Sequence, residues 1–139
     1  MLIKLIRFMV LAPFALLLLA SPPAQAGKLQ PLYTPEPIDI PAGKSAEEIK
    51  TGIRKALFNL DFKTKEIAPG HLEATHVKHS KDKEHTAVLT IKYNAKAVRI
   101  TYKDSKDLNY DPAAGEIHAT YNRWVRNVEK SIRGNLGSY

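Results

Sequence analysis

Ser105 and His118, with Asp104, Asp107 and Asp111 close in sequence, could assemble nucleophilic chemistry. That chemistry needs a hydroxyl to attack, an imidazole to take its proton and a carboxylate to orient the ring. The surroundings argue against it, because the sequence has neither a G-x-S-x-G elbow nor a glycine-rich loop to hold an oxyanion. A glycosidase would need two carboxylates facing each other across a cleft, and the acidic residues here are scattered over expected surfaces. The same stretch reads better as a polar binding patch made of Tyr102, Ser105, Asn109, Tyr110, His118 and Asn122. His118 and Asn122 are four residues apart, hence neighbours on a helix surface, and the preceding loop can bring Ser105 and the tyrosines to them. Such residues also satisfy loop backbone groups. The expectation is therefore a ligand-binding or partner-binding surface with no catalytic residue assigned, and a small hydrolase using Ser105 and His118 is the competing reading.

His71, His76, His79 and His85 crowd one segment and invite a metal site. Strand alternation separates them: His76 faces inward, His71 and His79 face outward, and His85 lies near a turn. Only His76 and His85 fall on a common face, and two imidazoles without a third ligand hold a metal poorly. Cysteine is absent, which removes thiolate catalysis, Cys-ligated zinc and disulfides. No cofactor or metal is expected. Arg123, Arg126, Lys130 and Arg133 form a basic stripe that could meet an anionic surface; opposite an apolar face, such a stripe is also the ordinary solvated side of a helix.

The elements that must position these residues are legible from periodicity. Ser45 to Glu48 is an S-x-x-E capping box, and Ile49, Ile53, Ala56, Leu57 and Leu60 follow at steps of three and four, predicting a helix that ends near residues 59–61. Leu72, Ala74 and His76 alternate with polar residues, as do Ala87, Leu89, Ile91 and Tyr93, which predicts two strands. A hairpin closed by Ser80 to Lys83 would set Leu72 opposite Ile91 and Ala74 opposite Leu89. Residues 97–102 give a third strand, and residues 104–115 a loop anchored by Leu108 and Tyr110. A second helix carries Ile117, Tyr121, Trp124, Val125, Val128, Ile132 and Leu136 on its buried face. The order helix, three antiparallel strands, helix predicts an α+β two-layer sandwich with both helices on one sheet face, and residues 37–41 could add a short edge strand.

The first 26 of the 139 residues read as a secretory leader. Lys4 and Arg7 precede an apolar run shorter than a membrane span, Ser21, Pro22 and Pro23 break it, and Ala24, Gln25 and Ala26 predict cleavage after Ala26. Residues 27–44 hold four prolines and are expected to be an extended tether, leaving a single domain over residues 45–136. Loss of Lys4 and Arg7 takes the formal charge from +7 to +5, which favours anionic envelope partners.

Tyr102 to Tyr110, followed by Ile117, His118, Ala119, Thr120, Tyr121, Asn122, Arg123, Trp124 and Val125, resembles a family of small exported bacterial proteins with the pattern Y-x-D-S-x-x-L-x-Y and then I-H-x-x-Y-N-x-W-V. The resemblance reaches back through the Ser45 cap and the hairpin. It implies an exported α+β domain and assigns no activity. Many members look like lipoproteins with a Cys after the leader, whereas this sequence has Gly27 there, so no stable membrane anchor is expected after cleavage. The functional expectation is a periplasmic or secreted non-enzymatic binding or accessory protein of the cell envelope. Its partner would be an envelope protein or small ligand, not nucleic acid; a basic protein associating with the envelope surface is a further alternative.

Overall fold

The computed structural model describes residues 28–139; the expected leader and Gly27 lie outside the described residues. Two helices pack on a five-stranded antiparallel sheet, and a two-stranded ribbon adjoins them. The chain runs β1 (Leu29–Pro31), β2 (Ile38–Asp39), α1 (Ala46–Phe58), β3 (Lys63–Ala68), β4 (His71–Ser80), β5 (Lys83–Tyr93), β6 (Ala97–Lys106), β7 (Glu116–His118) and α2 (Ala119–Leu136). The sheet order is β2-β6-β5-β4-β3, and β1 pairs with β7.

Helix α1 begins where its cap directs: Ser45 Oγ accepts from the Glu48 amide at 3.1 Å, and Glu47 and Glu48 sit in the first turn, where the helix dipole favours acids. Its buried residues are Ile49, Ile53, Ala56 and Leu57. The hairpin has the expected register, with Leu72 opposite Ile91 and Ala74 opposite Leu89, and Ser80 faces Lys83 across the turn. Tyr93, Ile91 and Leu89 then face Val98, Ile100 and Tyr102 of β6. The apolar residues of this sheet face and the buried stripes of both helices form one cluster, while Lys92, Arg99 and Thr101 on the other face are open to water.

Five strands, not three, make the sheet. Strand β3 pairs with β4 along its exposed edge, and Ile38 and Asp39 of β2 close the opposite edge against Val98 and Ala97. Strand β6 also runs on to Lys106, into residues expected to be loop, because a bulge between Val88 and Leu89 lets pairing with β5 continue past Tyr102. Residues 29–41 are non-helical and packed on the domain: Leu32 and Tyr33 lean on the core, and Ile38 and Ile40 are buried in it, before a turn at residues 42–43. Gly70 connects β3 to β4 at φ 74°, a conformation that favours glycine, and a Cβ there would stand 2.7 Å from the Tyr93 carbonyl oxygen.

Candidate functional site

His118 stands where β7 ends and α2 begins. Its backbone is extended at ψ 136°, so it caps the helix instead of lying within it, and Ile117 belongs to β7. The Thr120 amide donates to His118 Nδ1 at 3.1 Å. An amide can donate only to an unprotonated ring nitrogen, so the neutral imidazole carries its proton on Nε2. Burial holds the His118 pKa below the usual imidazole value, and Lys28, His85 and Arg123 push it in the same direction. His118 is thus a fixed neutral donor.

His85, on β5, is oriented the opposite way. Its Nδ1 donates to the Asp107 carbonyl at 2.8 Å, leaving Nε2 as an acceptor when the ring is neutral. The loop that presents this carbonyl is bent by two residues of positive φ, Asp107 at 54° and Asn109 at 52°, both of types that tolerate the left-handed region. Between them Leu108 plugs into the core, and its carbonyl accepts from the His118 amide at 2.9 Å. Strand β5, the loop and the start of α2 are thereby locked around the two imidazoles.

Two hollows adjoin here, and His85 and His118 line both. One, of about 240 Å³, is lined also by Lys78, Arg123, Leu108 and Trp124. The other, of about 290 Å³, is lined also by Lys28, Lys83, Asp107 and Asn109. Four permanent cations and one carboxylate therefore surround the imidazole pair.

The six residues read as one patch separate into three groups. His118 and Asn109 line the double hollow. Tyr102, Ser105 and Tyr110 belong to an aromatic cluster: the Tyr102 ring lies 4.3 Å from Tyr110 and 5.6 Å from Tyr121, and its hydroxyl shares a 2.8 Å hydrogen bond with Ser105 Oγ. Burial raises the pKa of both Tyr102 and Tyr121, so these hydroxyls stay protonated. Asn122 is 1% exposed and is engaged through both ends of its amide. Its Oδ1 accepts from the Tyr33 amide at 2.9 Å, and its Nδ2 donates to the Pro31 carbonyl at 2.9 Å and to Gln30 Oε1 at 3.3 Å.

The basic stripe divides as well. Arg123 faces the hollow, Arg126 lies 4.3 Å over the Tyr33 ring, and Arg133 pairs with Glu129 at 3.6 Å, while Lys130 is exposed. Glu129 also accepts from the Tyr33 hydroxyl at 2.7 Å. His76 is stacked on Phe62 at 4.9 Å and meets the Trp124 edge at 4.5 Å, with its Nδ1 donating to the Asp61 carbonyl. It serves packing, on the same sheet face as His85. Among the described residues no group of three or more histidines and acids is placed to hold a metal, and no helix is long and apolar enough to cross a membrane.

Chemically, the double hollow offers a neutral N–H donor, a second imidazole with one nitrogen free and four cations, a set suited to holding acceptor oxygens. The Ser105 hydroxyl is paired with Tyr102, and the free nitrogen of His118 carries a proton, so neither is arranged as a nucleophile or its base. Lys28, Lys78 and Lys83 are not marked by the sequence, since lone lysines on separate elements carry no signal until the fold gathers them. Compared with family models, curated proteins and solved structures, the chain matches none.

Proposed function

We propose that this chain is an exported, non-enzymatic binding or accessory protein of the cell envelope that takes its ligand or partner in the double hollow around His85 and His118. Export rests on the order of positive flank, short apolar run, helix breaker and A-x-A site over residues 1–26. Binding rests on one observation: two imidazoles from separate elements, each held by a fixed backbone hydrogen bond, line the same pair of hollows. Concave sites with a few convergent polar groups are where proteins hold small ligands.

Site-specific photocrosslinking in producing cells tests the reading. A photoreactive residue at Thr120 should trap envelope material, and one at Thr90, on the open sheet face, should not. Equal yields at both positions would defeat the proposal. The hydrolase alternative requires Ser105→Ala and His118→Ala each to abolish hydrolysis, whereas the binding reading expects any hydrolytic background to stay unchanged in both.

A further inference from the structure

Few of the cations in the described residues are neutralised by ion pairs. Lys50 is matched by Glu47 and Glu66, Lys103 by Glu73 and Arg133 by Glu129. Sixteen of the nineteen lysines and arginines among the described residues take part in no ion pair, and four of them, Lys28, Lys78, Lys83 and Arg123, converge on the double hollow, where Asp107 is the one acidic residue. Unneutralised cations concentrated at a concavity attract anions and focus the field there.

We propose that the double hollow binds a phosphate group, held by Lys78 and Arg123 from the first hollow and Lys28 and Lys83 from the second, with His118 donating from Nε2. This rests on the reading of the hollow as the binding site and names the chemistry it recognises. A metal ion would meet four positive side chains and a His118 nitrogen that already carries a proton. A carboxylate brings one charge and two oxygens in one plane. A phosphate brings up to two charges and several oxygens pointing in different directions, which matches cations contributed by β4, β5, α2 and the chain ahead of β1. The end of α2 is not the source of the attraction, because the Thr120 amide is already engaged with His118. Asp107 is the sole carboxylate residue lining the two hollows, and its main-chain oxygen is committed to His85.

Nitrogen-15 NMR of the mature chain, titrated with inorganic phosphate at constant ionic strength, tests the proposal. Saturable shifts are expected at the amides of His85, Thr120 and Arg123. Arg123→Gln should weaken binding about tenfold, the loss expected for one charged hydrogen bond, and Arg99→Gln on the open sheet face should change nothing. Absence of saturation, or equal weakening by both variants, would overturn it. Acetate saturating the same amides as tightly as phosphate would also overturn it, while leaving the hollow as a binding site. A second arm separates the sources of phosphate. Co-sedimentation with phosphatidylcholine vesicles containing phosphatidic acid, abolished by Arg123→Gln, supports the proposal with a lipid headgroup as ligand. Saturation by inorganic phosphate without co-sedimentation supports it with a soluble ligand.

Discussion

Asn122 and His118 lie four residues apart at the start of α2, and both are polar residues of the type that lines sites, yet the two flanks they occupy do different work. On the Asn122 side, the amide is buried and both its ends are spent on residues 30–33, while Tyr33 reaches Glu129 and lies under Arg126. On the His118 side, one ring nitrogen caps the helix and the other faces a hollow ringed by cations. The difference is one of hydrogen-bonding capacity. Asn122 spends both its donors on the fold and is buried, whereas His118 has one donor that the fold does not use. Residue type nominates both, and only the count of satisfied groups separates a clamp from a site.

The largest effect is expected on the clamp. Asn122→Ala removes three hydrogen bonds and leaves the half-buried Tyr33 amide and the Pro31 carbonyl to solvent, and should cost about 2 kcal/mol of stability in urea unfolding. A loss no greater than that of an exposed substitution would place Asn122 with His118 as a residue in reserve. Tyr33→Phe removes one hydrogen bond to a carboxylate and keeps the ring under Arg126, so a smaller loss of about 1 kcal/mol is expected by the same measurement.

On the other flank, His118→Asn should separate stability from binding. Asparagine is a good N-cap, so unfolding should stay within about 0.5 kcal/mol of the parent. Phosphate shifts at Thr120 and Arg123 should nevertheless weaken, because the Nε2 donor is gone. Retained phosphate binding in this variant would make His118 a cap and nothing more.

Which parts of this were legible in the sequence follows from what burial writes into a chain. Helix α1 and the β4–β5 register were readable because Ile49, Ile53, Leu57, Leu72, Ala74, Leu89 and Ile91 are buried at the periods of their elements. Strand β3 was not, since Lys63 to Ala68 is largely exposed and has no apolar alternation to display. The short β1 and β7 pair across more than eighty residues, and Ile117, apolar in phase with α2, masks the point where strand gives way to helix. Within the site, His118, Asn109 and Arg123 were visible as residues. His85 was visible too, but its orientation depends on the Asp107 carbonyl, a tertiary contact that no spacing encodes.

The smallest expected effect is the sharpest test of the His118 tautomer. In the unfolded chain the imidazole titrates near 6.5, and in the folded chain its pKa is lower, with burial as the main cause. Between those two values the unfolded state binds the proton more readily, so stability rises with pH. The contribution of His118 is therefore complete above about pH 6.5 and is lost as pH falls through the folded value. The structural reason is local: a proton on Nδ1 would confront the Thr120 N–H, two donors would face each other, and the first turn of α2 would lose its cap. His118→Asn keeps a cap that does not titrate. Urea midpoints measured at about pH 7.5 and about pH 5.5 should thus fall further in the parent than in the variant, across the range where imidazoles change charge. An equal fall in both would mean that Nδ1 does not hold the helix end, and the distinction drawn between the two flanks of α2 would lose its chemical basis.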